Sequence, residues 1–167
     1  KWEMDALSFY YGNHELKNVD TQKYNIQDYN KISKEPVVIE EKMNKKNGQR
    51  YKKYQLYKIM GTVLDKKKNK HLITLLTTTG VVNVKFYAGA FSHYDKQISE
   101  YNNKGDKKVI EKSWFTKGNL LIITGFRRGD QFIPRKYWNS VYQHTVVLIE
   151  KVLSNGQLKL KLERKKI

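Results

Sequence analysis

Four lysines in five residues, Lys66, Lys67, Lys68 and Lys70, and the adjacent pair Arg127 and Arg128 are the groupings in this chain best suited to chemistry. Both present positive charge, and a guanidinium adds a planar fork that can grip a phosphate or lie flat on a base. Rings accompany them. Tyr87, Phe132, Tyr137 and Trp138 offer faces on which unpaired bases can stack, or bulk to fill an interior. Lys85 and Arg135 complete the set of candidate nucleic-acid contacts.

Residues for breaking bonds are not gathered in this way. Asp65, Glu100, Asp106, Glu111 and Asp130 are scattered, with no pair at convincing metal spacing, so a metal-dependent nuclease lacks its carboxylates. There is no Ser-His-Asp set, no phosphate-cradling Gly-Lys-Ser/Thr loop, and no Asp-x-Asp pattern for two-metal nucleotidyl transfer. His14, His71, His93 and His144 are isolated, and the absence of cysteine excludes disulfides, thiolate zinc sites and thiol nucleophiles. The expectation is a chain with no metal and no cofactor of its own.

Charge agrees with binding. Lys and Arg number 33 against 16 Asp and Glu, a net charge of +17 spread along 167 residues, and a polyanion is the natural partner for such an excess. A merely solvated lysine-rich surface is the plain alternative. No apolar run approaches the roughly 18 residues of a membrane span, and no signal peptide is visible, which predicts a cytoplasmic protein without membrane contact. The chain opens on Lys1-Trp2 and not on methionine, which predicts a piece of a larger protein.

The elements that must position these groups follow from periodicity. Trp2, Ala6, Phe9 and Tyr10 have helical spacing, Lys17 to Lys34 reads as a polar connector, and Val37-Val38-Ile39 followed by Asn44 to Gly48 reads as a short strand and turn. Residues 1–50 thus form a helical arm and connector, and residues 51–167 a β domain. In that domain Tyr57 to Asp65 alternates as strand one, with Gly61 allowing a bend. The lysine turn leads to strand two, His71 to Thr78, and Gly80 to strand three. There Val82, Val84 and Phe86 share one face, while Asn83, Lys85 and Tyr87 form the polar face.

A helical stripe of Phe91, Tyr94, Ile98 and Tyr101 then predicts a plug for the bottom of a barrel. Asn102 to Lys112 reads as a polar loop, and Leu120 to Ile123 as a short strand four buried on both sides. Arg127 to Asp130 reads as a turn and Gln131 to Tyr137 as strand five, edge-like because of Pro134. Asn155-Gly156 centres a terminal hairpin. Within it, Gln157-Leu158-Lys159-Leu160 partly resembles a sliding-clamp-binding peptide, although strict alternation favours a plain strand. This order predicts a mainly β chain: a five-stranded OB barrel with a helix between strands three and four. In OB barrels the loops between strands one and two and between strands four and five border the ligand face.

Two separated segments resemble one family. Leu7, Phe9, Tyr10, His14 and Leu16 match the Leu-Gly-Phe-Tyr-x-Ser-x-His-Pro-Leu signature that precedes the OB domain in the DnaE-type alpha subunit of bacterial DNA polymerase III, while Ser8, Gly12 and Glu15 depart from it. The missing proline after His14 points to a divergent, phage or mobile-element branch. Gly61-Thr62-Val63 through Val84-Lys85-Phe86-Tyr87 to Phe91 and Tyr94 is similar to the OB domain that follows. The resemblance covers most of the chain to about Tyr137. It implies the C-terminal region of a replicative polymerase, near single-stranded template DNA, with the remainder of the polymerase chain as a partner and a sliding clamp or clamp loader as further candidates. A protein-docking OB module is the alternative reading, and an OB-fold nuclease a more remote one.

Overall fold

The computed structural model describes residues 16–135 and 145–164. The helix expected within residues 2–11, and with it the arm's signature segment up to Glu15, lies outside the described residues, as do Tyr137 and Trp138. Among the described residues eleven strands and one α-helix follow in order: β1 (Val38–Met43), β2 (Arg50–Tyr54), β3 (Tyr57–Lys67), β4 (Leu72–Thr77), β5 (Gly80–Lys85), α1 (Ala88–Asp95), β6 (Ile98–Tyr101), β7 (Lys107–Glu111), β8 (Leu120–Arg128), β9 (Gln131–Pro134), β10 (Val146–Val152) and β11 (Leu158–Lys161).

Five of these strands close on themselves. β3, β4 and β5 form an antiparallel meander; β5 then pairs in parallel with β9 through Asn83↔Gln131 and Val84↔Phe132; β9 pairs with β8, and β8 returns to β3. A strand that serves two neighbours in succession must curve. β3 pairs with β8 over Tyr57 to Thr62 and with β4 over Thr62 to Lys67, with a register shift between Val63 and Asp65. Gly61 lies at this curve because a Cβ there would come within 2.9 Å of the Leu76 carbonyl oxygen.

Alternation puts Ile59, Val63, Ile73, Leu75, Val82, Val84, Leu121, Ile123 and Phe132 inside the barrel, all buried. Phe91 and Tyr94 of α1 join Phe86, Trp114 and Phe115 to stopper one end, with the Phe86 and Phe115 ring centroids 5.0 Å apart. Only the first half of the expected stripe is helical. Ile98 and Tyr101 belong to β6, which pairs with β7 across a turn where the Asn102 side chain accepts from the Lys104 and Asp106 amides. The stretch from Asn102 to Lys112, expected to be a loop, therefore holds a strand. Its polar composition hid it because Val109 and the other β7 residues before Ile110 are exposed.

A second layer backs the barrel. β10 adds to β8 and β11 to β10, and this hairpin closes an outer apolar cluster of Met60, Ile122, Val147 and Ile149 with Leu16 and Val19. β8 is buried on both sides for this reason, as its apolar run predicts, but it runs on to Arg128 and not only to Ile123. β1 and β2 form a separate two-stranded ribbon, exposed along most of its length. Among the described residues no helix is long and apolar enough to cross a membrane.

Candidate nucleic-acid interface

The lysine turn joins β3 to β4, where Lys68–Lys70 form one 3-10 turn. Its lysines are not equivalent. Lys66 Nζ lies 2.7 Å from Asp95 Oδ1 and Lys68 Nζ 3.8 Å from Asp95 Oδ2, whereas Lys67 and Lys70 extend into solvent. Lys85 Nζ donates to the Lys70 carbonyl oxygen and so braces the turn against β5. Register ties the turn to the other basic loop: Leu72 faces Lys85, two residues along β5 Asn83 faces Gln131, and Gln131 faces Arg128.

Asp95 is the anionic counterweight of this surface. Burial raises its pKa, but the hydrogen bonds from Lys66 and Ser113 and the charges of Lys66 and Lys68 outweigh that and hold it below the ordinary carboxylate value. The unfolded chain therefore binds this proton more readily than the folded one. Stability from ionised Asp95 is complete above the unfolded carboxylate pKa, about 4, and is lost as pH falls through the lower folded value. Acid titration followed by circular dichroism should show a shallower fall in stability below about pH 4 for Asp95→Asn than for the parent chain; identical slopes would remove Asp95 from this role.

Arg127 and Arg128 are neighbours with opposite fates, because both belong to strand β8 and only Gly129-Asp130 turns. Arg127 is buried: its Nε donates to the Gly129 carbonyl at 2.9 Å, its Nη1 to the Tyr29 carbonyl at 3.0 Å, and its guanidinium lies 4.1 Å from the Tyr29 ring centroid. It straps the segment around Tyr29 to the barrel. Arg128 faces outward, 5.4 Å from the centroid of Phe126. Phe132 is fully buried, edge-on to Tyr29, and fills the interior. Tyr87 is exposed at the start of α1, and Arg135 is half-buried, donating to the Thr145 hydroxyl at 3.0 Å.

Tyr87, Arg128 and Arg135 come together in a groove of about 730 Å³ between the barrel wall and the β1–β2 ribbon. The ribbon contributes Arg50, Tyr51, Lys52, Lys53 and Tyr54, none of which the sequence reading singled out. A signal was present in the interleaving of two rings with three cations through Arg50-Tyr51-Lys52-Lys53-Tyr54. Among the described residues no group of three or more His, Asp and Glu side chains could hold a metal ion.

No family model matches this chain, and no solved structure does. Along all 167 of its residues the chain is 52% identical to a segment of "Probable DNA polymerase YorL" of Bacillus subtilis (strain 168), and equally to a segment of the "DNA-directed DNA polymerase" of Bacillus phage SPbeta. The chain spans 13% of the length of each of these relatives, and it is therefore similar to one limited portion of proteins named as DNA polymerases.

Proposed function

We propose that the barrel is an OB module of a DNA polymerase, of the type found in the DnaE-like alpha subunit of DNA polymerase III, and that it binds single-stranded template DNA without itself catalysing. The observation that carries this reading is the basic surface linked through β5: Lys67 and Lys70 on one loop, Lys85 beside them, and Arg128 beyond Gln131. The full-length similarity to part of two DNA polymerases supports the setting. In it, the remainder of the polymerase chain is the immediate partner and the cytoplasm the place of action. Arg127 and Phe132, being buried, serve by holding the barrel's shape.

Fluorescence anisotropy of a labelled oligo-dT over a salt series tests the proposal. Neutralising about four phosphates should make log affinity fall with log salt at a slope near about −3. Absent or salt-insensitive binding by the folded chain would overturn it. A second reading, a module that docks a protein such as a sliding clamp or clamp loader, is favoured by apolar side chains on the ribbon: Ile39 and Met43 are 52% and 62% exposed. Reversing the charge of Lys67 and Lys70, which leaves the contacts of Lys66 and Lys68 with Asp95 in place, separates the two, since only the first reading loses DNA affinity.

A further inference from the structure

We propose that the groove between the β1–β2 ribbon and the barrel wall is a binding site for unpaired nucleic acid, its tyrosines carrying bases and its cations carrying phosphates. The inference rests on the single-strand reading above and moves its centre from the lysine turn to the ribbon. Three observations carry it.

The first is charge. Lys42, Arg50, Lys52 and Lys53 of the ribbon and Arg128 and Arg135 of the barrel all contribute to the lining of the groove, and no carboxylate does so among the described residues. Glu40 and Glu41, which face Lys53 and Lys52 across the ribbon, stand outside the lining. Lys42 meets Glu40 at 3.7 Å, but both are exposed, and such a contact neutralises little. Cations gathered around one concavity repel each other and focus the field on whatever enters, which favours a chain of phosphates.

The second is the set of rings. Tyr54 and Phe126 lie 4.9 Å apart, tilted by 34°, with the Arg128 guanidinium 5.4 Å from the Phe126 centroid. Tyr51 and Tyr87 are 40% and 47% exposed. Rings held wet beside cations suit base stacking, which requires bases whose faces are not already covered by a complementary strand. The third is size. At about 730 Å³ the groove is larger than two further cavities lined by described residues, of about 260 and 340 Å³, and has room for a short stretch of strand.

The test compares variants of the whole chain with a fluorescein-labelled dT oligomer of about 12 nucleotides, within the span an OB barrel covers. Arg50→Gln/Lys52→Gln/Lys53→Gln should flatten the log–log salt slope by about two units. Tyr51→Ala/Tyr87→Ala should weaken binding about fivefold or more per ring with the slope unchanged. Photocrosslinking of an iododeoxyuridine oligomer to the unaltered chain should mark peptides containing Tyr51 or Tyr87. If the parent chain does not bind, the single-strand reading itself fails. If it binds, and these variants behave as the parent while Lys67→Gln/Lys70→Gln loses affinity, the groove proposal is overturned and the single-strand reading stands. Equal competition by duplex DNA, or capture of a protein ligand with no oligomer binding, also overturns it.

Discussion

Replacing Gly125 with alanine should destabilise the chain by at least about 3 kcal/mol, the upper range for forcing atoms into a packed site. The methyl carbon would stand 2.1 Å from the Ile133 carbonyl oxygen and 2.8 Å from the Pro134 Cα. Both obstacles are backbone, so no side-chain rotation relieves the clash. The position is also where β8 changes partners: Gly125 faces Tyr57 of β3 on one side and Pro134 of β9 on the other. Separating β8 from β9 there opens the closed barrel. For a chain of this size the cost corresponds to a fall in Tm of roughly 10 °C, and urea unfolding should show it as a lower midpoint; a midpoint equal to that of the parent would mean that β8 and β9 do not approach this closely.

An effect of similar or larger size is expected at Arg164. Its guanidinium, with 1% of the side chain exposed, lies 3.0 Å from Glu111 Oε1 and donates to the carbonyl oxygens of Tyr94 and Lys96. It also lies 5.7 Å from the centroid of the Trp114 ring. Desolvation lowers its pKa, and the charges of Glu111 and Asp95 pull it back up. Arg164→Met removes the cation but leaves Glu111, 7% exposed, with Lys161 at 3.3 Å and the Trp114 indole N–H at 2.6 Å. Breaking one side of a buried pair costs about 3–5 kcal/mol, mainly because the remaining charge stays in a poor solvent. The double variant Arg164→Met/Glu111→Gln should recover part of the loss in denaturant unfolding. Full additivity of the two single changes would show that the residues act independently.

Much of the barrel was legible because its strands have one wet face and one dry one. Val82, Val84 and Phe86 were expected to share a buried face and do; the Asn155-Gly156 signal marks a turn between strands that do pair. The sequence pattern ends strand four at Ile123 because a glycine, Gly125, follows two residues later and interrupts the apolar run, whereas in the molecule Gly125 is a point of close backbone approach within the strand. That shortening had a consequence for the candidate site. Once Arg127 and Arg128 are taken as turn residues, nothing distinguishes them; placed on a strand, alternation sends one inward to Tyr29 and the other out beside Phe126. The ribbon groove was less accessible still. β1 and β2 have no dry face to create a period, and the meeting of Tyr54 with Phe126 joins residues far apart in sequence. The partly buried Asp95 contact with the lysine turn depends in the same way on where α1 ends, which no local pattern encodes.

β8 walls two apolar clusters at once, Leu121 and Ile123 turned to the barrel and Ile122 to the outer layer. Detaching the outer hairpin would therefore leave Ile122 bare to water, and opening the barrel would remove the platform on which the hairpin rests. The two layers share a common fate and should melt as one cooperative unit, whereas the ribbon belongs to neither cluster and meets the barrel through the contact of Tyr54 with Phe126, so it is the part expected to fray first.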